Sequence, residues 1–329
     1  MKNKRISIAF RIASVWCTLF VIYRHSLNFA AFYPDCVSNF PDNYNTQIQN
    51  YIMYQTRLAV PFFFIMSGFF FFKNESLSIY GYRQKIKSRI TTLFVPYLFW
   101  MLIGLAILIV SKQISIENFN WFELLSGKYS FHLWYVASLM VLVVCSPVME
   151  CMRRVKVLSF MVLLFLAWCW IPVDCNILST EGVLFFFIGS LCSDNTLERL
   201  ILPLKWIIPA AVLWLFIPFI SIEGWNLLFS KMSIIIGVLL LWNICYHYSY
   251  KYNEYWTLLA SCSFFVFCAH FFSIKIMKVS IAQVFSYNDL ASLLCFLILP
   301  IVTFVLLYAI ALFLRKYTSK LYNVISGGR

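Results

Sequence analysis

Residues 293–314 read LLCFLILPIVTFVLLYAIALFL, 22 positions without a charged side chain. Crossing about 30 Å of hydrocarbon takes about 20 apolar residues in a helix, so this stretch alone is long enough to span a bilayer. Nine further apolar runs precede it, at 6–23, 58–72, 90–111, 133–149, 157–171, 177–192, 206–220, 227–246 and 258–274. None alternates polar and apolar residues as the strands of a membrane barrel do. The expected fold is therefore all-α: a polytopic integral membrane protein with about ten transmembrane helices in one bundle. Residues 1–329 are read as a single transmembrane domain, because no connection between runs is long enough to build a soluble core.

The bulk numbers agree. The chain is 62% hydrophobic and 12% charged, with a mean hydropathy of +0.81, far from the balance of a soluble domain. The first run has no small-residue cleavage site after it and is expected to stay in the mature protein. The run at 58–72 is short unless its helix begins near Tyr51. In that case Gln55 and Arg57 enter the membrane and must face protein or water.

Counting Lys and Arg over alternate connections sets the orientation. With the N-terminus inside, 18 of the 26 basic residues fall on the cytoplasmic side and 7 on the outer side, with Arg11 inside the first run. Both termini are expected to be cytoplasmic. The net charge of +13 then follows topology, scattered over several loops, and no nucleic-acid surface is implied. The 11 cysteines lack the short paired spacings of metal or redox sites, so no metal is expected. Cys36 and Cys175 fall outside and could pair only if their backbones meet.

Polar residues at membrane depth are costly enough to mark function. Of the four histidines, His25, His132 and His247 stand near ends of apolar runs, and His270 lies within one, in SFFVFCAHFF. His25 closes the stretch RIASVWCTLFVIYRHS. At about 100° per residue, Arg11 and His25 fall within roughly 40° of each other on the helix. A face bearing both should line the bundle interior, unless Arg11 snorkels to headgroups and His25 merely caps the outer end. Arg24, beside His25, is a second possible partner. An imidazole near neutral pH can take a proton from an alcohol and return one to a leaving group, which suits acyl transfer. In YRQKIKSRITTLFVPYLFW, Arg83, Lys85, Lys87 and Arg89, with Lys73 upstream, form a cytoplasmic cluster able to hold phosphates. The same residues would also serve as ordinary positive-inside anchors.

Taken together, these stretches resemble the membrane-bound acyltransferase 3 family, integral-membrane enzymes that O-acylate glycans and other extracytoplasmic acceptors. RIASVWCTLFVIYRHS resembles the family's first helix with its His, VPFFFIMSGFFFF its Phe-rich second helix ending in Ser-Gly, and RITTLFVPYLFW its Arg followed by Pro-Tyr. FHLWYVASLM and SFFVFCAHFF resemble its His-Leu-Trp segment and its late helix with His. The resemblance implies His25 as the catalytic residue, acting as general base or acyl carrier, with Arg11 or Arg24 as its partner. Many members space that Arg and His eleven apart; here Arg11 and His25 are fourteen apart. The resemblance further implies Lys85, Lys87, Arg89 and Tyr97 at the donor, and Ser67, His132, Trp134 and His270 lining the substrate path. The donor implied is acyl-CoA, most simply acetyl-CoA, bound from the cytoplasm. The acceptor implied is a hydroxyl of an extracytoplasmic glycan, and the location the bacterial cytoplasmic (inner) membrane.

The competing class is a transporter or a sensor built on a similar bundle. Internal repeats, broken helices in corresponding halves and acidic residues at the membrane centre would mark a transporter; the sequence shows no repeat and keeps its acidic residues in loops or at run ends. For a sugar, the residues Tyr33, Asn39, Phe40, Asn43, Tyr44 and Asn45 of the first outer connection could stack and hydrogen-bond, as could any capped solvent-facing loop.

Overall fold

The computed structural model describes residues 2–27, 29–33, 44–73, 79–115, 120–155, 157–170, 174–175, 178–251 and 254–328. Among the described residues the chain is all-α apart from a two-residue antiparallel pair, β1 (Asp174–Cys175) with β2 (Leu178–Ser179). The helices are α1 (Lys2–Ser26), α2 (Tyr44–Thr56), α3 (Ala59–Phe72), α4 (Ile79–Arg89), α5 (Val95–Val110), α6 (Trp121–Leu125), α7 (Trp134–Val144), α8 (Ser146–Val155) and α9 (Val157–Trp170). They continue as α10 (Thr180–Leu191), α11 (Asp194–Arg199), α12 (Leu204–Phe216), α13 (Asn226–Tyr248), α14 (Glu254–Val284), α15 (Asp289–Tyr317) and α16 (Ser319–Ser326).

Among the described residues six helical runs are long and apolar enough to cross a membrane: Lys4–Ser26, Tyr44–Phe72, Tyr80–Val110, Asn226–Tyr248, Glu254–Val284 and Asp289–Tyr317. The pair α7 and α8, bent by 60°, makes a seventh if taken as one span. The remaining expected runs are shorter apolar helices, α9 with 14 residues, α10 with 12 and α12 with 13, all under the length a straight crossing needs. Each of the ten apolar runs falls on one of these helices, but only six to seven reach spanning length. Run edges shift as well. The second run does begin early, at Tyr44. Gln55, buried there, donates to the Trp214 carbonyl at 3.3 Å, and exposed Arg57 donates to Ser230 Oγ at 2.7 Å. Both polar side chains thus meet protein, as a helix entering hydrocarbon requires.

Two compact units share the chain. The first combines residues 1–59 with 200–313, the second 60–199 with 314–329. In the first, α1 packs along α14 and α13. Ala9, Ala13 and Cys17 on α1 are fully buried, and such small side chains let helix backbones approach closely. Near the start of α1 the Arg5 guanidinium lies between two rings, 4.3 Å from the Tyr246 centroid and 3.4 Å from that of Tyr250.

The second unit has a phenylalanine core: Phe62, Phe64, Phe69 and Phe71 of α3 with Phe186 and Phe187 of α10, all nearly or fully buried. The two helices touch backbone to backbone. A Cβ added at Gly68 would sit 3.0 Å from the Phe186 carbonyl carbon and closer still to its oxygen, and one at Gly189 would sit 2.8 Å from the Ile65 carbonyl carbon.

Two prolines shape this unit. Pro147 has no N–H to give the Val143 carbonyl; Ser146 Oγ donates to that carbonyl instead, at 2.7 Å, and the α7–α8 bend falls there. Pro96 likewise leaves the Thr92 carbonyl without its i+4 donor. The chain answers with a π-turn over Ile90–Phe94, closed by the Val95 N–H on the Ile90 carbonyl.

Candidate active site

In the first unit the C-terminal end of α1 delivers His25 against the middle of α14. The His25 and His270 ring centroids are 5.0 Å apart, and the Phe271 ring meets His25 edge-on at 5.5 Å. His270 is fully buried. Its Nδ1–H donates to the Phe267 carbonyl at 2.6 Å, because a carbonyl can only accept. That bond fixes the tautomer and turns the basic Nε2 lone pair to the other side of the ring. His25 is half-buried, which leaves its imidazole within reach of a substrate.

A third group closes this corner. Lys278, two turns beyond His270 on α14, is 3% exposed. Its ammonium donates to the His25 carbonyl at 3.4 Å and to the Leu27 carbonyl, and lies 5.5 Å from the Phe32 ring centroid. The last carbonyls of a helix lack intrahelical donors and carry the negative end of its dipole, so a buried cation there is matched in both hydrogen bonding and charge. The apolar run ending at 274 puts Lys278 at an outer span end. Instead α14 continues to Val284 and carries it as a buried helical residue. The missed signal is spacing: Phe271 and Lys278 are seven apart and share a helix face.

Arg24 donates to the Met53 carbonyl of α2 at 3.3 Å. Arg11 is exposed on α1. Fourteen residues separate it from His25, about 21 Å along the helix axis, so the two do not meet. His247 binds the Leu202 carbonyl at 3.0 Å.

The second unit holds the remaining sequence candidates. Ser67 Oγ and the Tyr135 hydroxyl are 3.0 Å apart, with Tyr135 packed on Phe63 and Phe64. Arg89 is half-buried. Lys85 donates to the Phe71 carbonyl at 2.7 Å, whereas Lys87 is exposed. Lys73 pairs with Asp194 at 2.8 Å. Tyr97 is fully buried, its hydroxyl on the Leu125 and Leu124 carbonyls at 2.8 and 3.2 Å. His132, also buried, faces Ser130 Oγ at 3.3 Å, and Trp134 packs at 6.4 Å from Phe64. Thus Ser67 meets Tyr135, a residue the sequence did not single out. Tyr97 and His132 are tied into the 120–133 segment.

Of the suggested sugar-binding residues, Tyr33 packs between Phe29 and Tyr287, and Asn45 is buried on the Asp289 carbonyl and Gln49. Tyr44 is exposed; Asn39, Phe40 and Asn43 lie outside the described residues, as do Cys36 and the Cys175 side chain. Among the described residues no group of three His, Cys, Asp or Glu side chains gathers as a metal site would.

Comparison with known families adds what geometry alone does not. The model of the acyltransferase 3 family, described as an acyltransferase domain, matches residues 12–314. The chain belongs to the acyltransferase 3 family. It is accordingly a multi-pass membrane acyltransferase, and the matched stretch contains His25, Ser67, Arg89 and His270 together. No curated protein and no solved structure gives a match.

Proposed function

We propose that this acyltransferase moves an acyl group, most simply acetyl, from cytoplasmic acyl-CoA to a hydroxyl of an extracytoplasmic glycan, with His25 as general base. The observation that carries this reading is the His25–His270 pair, held at the end of α1 by Lys278. In the proposed step the His25 imidazole takes the acceptor's hydroxyl proton, and the oxygen forms a bond to the thioester carbonyl carbon. The carbon–sulfur bond then breaks, and the CoA thiolate leaves and recovers a proton. A covalent acyl-His25 route divides the same transfer into two steps. Arg89, with Lys87 and Lys85 nearby in sequence, is the proposed ligand of the donor's phosphates. The exposed Lys87 brings charge, and Arg89 brings the planar fork that holds phosphate oxygens in pairs.

The orientation comes from the basic-residue count: both termini inside and His25 toward the outer face of a bacterial inner membrane. The test is transfer from labelled acetyl-CoA by purified protein in nanodiscs, with isolated surface glycan as acceptor. Labelled glycan that disappears with His25→Ala supports the proposal; transfer that survives the substitution refutes the role of His25.

A further inference from the structure

The last helix, α16, lies beyond the residues that the family model matches, yet it is built into the second unit at one particular place. Tyr322, Ile325 and Ser326 are buried. Trp100 Nε1 of α5 donates to the Ile325 carbonyl at 2.9 Å. Gly327, in the left-handed conformation at φ +72°, lies flush on the π-turn: a Cβ there would be 2.8 Å from the Thr92 carbonyl carbon and 2.9 Å from its Cα. Thr92 is the residue whose carbonyl Pro96 cannot serve. Thr92, Pro96 and Trp100 recur every four residues and form one stripe on the helix, so α16 covers the stripe that the π-turn disturbs.

A π-turn inserts one residue into a helix. Everything before it is therefore rotated by about 100° relative to everything after. Arg89 is the last residue before the turn, so the turn sets the helix face on which its side chain stands. Relaxing the turn to an α-helix would swing Arg89 by about 100° onto another face without disturbing the apolar face of α5. What holds the turn therefore sets the direction of Arg89.

We propose that α16 is a clamp on the π-turn and makes Gly327 and Trp100 positioning residues for Arg89 in donor binding. The donor-binding half rests on the reading of Arg89 given under Proposed function. Adjacent glycines supply the control. Gly328 is also left-handed, at φ +69°, but a Cβ there meets nothing within 4 Å. Asn tolerates this conformation, so Gly327→Asn and Gly328→Asn differ in the contact with Thr92 and not in backbone strain.

The experiment compares both variants, and Trp100→Phe, with the unaltered full chain in nanodiscs by two readouts. Amide hydrogen exchange over 90–95 should quicken about tenfold in Gly327→Asn and Trp100→Phe and stay unchanged in Gly328→Asn. The KM for acetyl-CoA should rise about tenfold in the same two variants, with kcat and the acceptor KM unchanged. Equal exchange in Gly327→Asn and Gly328→Asn overturns the clamp. Faster exchange with an unchanged acetyl-CoA KM overturns the link to Arg89. Absence of turnover in the unaltered protein counts against the functional reading instead, and exchange still decides the clamp. Should Gly327→Asn fail to fold, Trp100→Phe, which removes one hydrogen bond and little volume, carries both readouts.

Discussion

The His25 and His270 rings stand 5.0 Å apart, centroid to centroid, the first half-buried and the second sealed from solvent. The Phe267 carbonyl orients His270, whereas His25 is only half-buried, an arrangement suited to one histidine working and the other holding. Removing a general base costs about 10²–10⁴ in rate. His25→Ala should lower kcat for acyl transfer by that order. His270→Phe, which keeps a ring but no polar atom, should lower it by less. Single-turnover transfer from labelled acetyl-CoA checks both, and equal losses would show that His270 shares in the chemistry.

Lys278 ties the end of α1 to α14 through the His25 and Leu27 carbonyls. Hydrogen bonds to a charged group contribute about 1.5–3 kcal/mol each way they are lost. Lys278→Met keeps the stem and drops the ammonium, so the thermal midpoint should fall by several degrees. Transfer should fall more than tenfold, because His25 loses its anchor. A melt followed by intrinsic fluorescence and a transfer assay on the same preparation test this. Unchanged activity would mean that packing on Phe271 alone positions His25.

The basic cluster before α5 divides by environment. Lys85 is held at the Phe71 carbonyl and Lys73 at Asp194, Lys87 is exposed, and Arg89 is half-buried. An exposed charge acts through a field that salt screens within about 10 Å at 0.1 M. Lys87→Gln should therefore raise the acetyl-CoA KM only a few-fold, with the difference vanishing at high salt. Arg89→Gln should raise it tenfold or more at any salt. Steady-state kinetics at two ionic strengths separate the two.

Much of this was legible in residues. Uninterrupted apolar runs located every long helix, since length and hydropathy suffice where the backbone must satisfy itself. The shortness of the run at 58–72 pointed to an early start of the second span, which brings Gln55 and Arg57 into it. What escaped were features set by tertiary contact. Lys278 looked like an interfacial cation because its cost is repaid by carbonyls 251 and 253 residues away in sequence. Tyr135 carried no special mark until Ser67 met it. Arg11 and His25 share a face on the wheel, but axial distance keeps them apart, a limit that angular periodicity does not express. The count of ten includes α9, α10 and α12, which are apolar yet, among the described residues, shorter than a straight crossing needs.

Gly68 and Gly189 set the distance between α3 and α10, and Ser67, beside Gly68, meets Tyr135 of α7. Gly68 follows Ser67 directly, and an added Cβ would press on the Phe186 carbonyl, backbone against backbone, where no rotamer can yield. Overpacking a tight core costs about 1–3 kcal/mol or more, so Gly68→Ala and Gly189→Ala should each lower the thermal midpoint by several degrees. Phe69 and Phe186 stay in the core while the helices part, so the effect should extend beyond stability. The Ser67–Tyr135 hydrogen bond of 3.0 Å should lengthen or break. Gly68→Ala combined with Ser67→Ala should then be no less active than Gly68→Ala alone, whereas Ser67→Ala in the unaltered background should still show whatever that hydroxyl contributes. Activity of the four proteins as a double-mutant cycle decides it: additive losses would place Ser67 outside the influence of the α3–α10 contact.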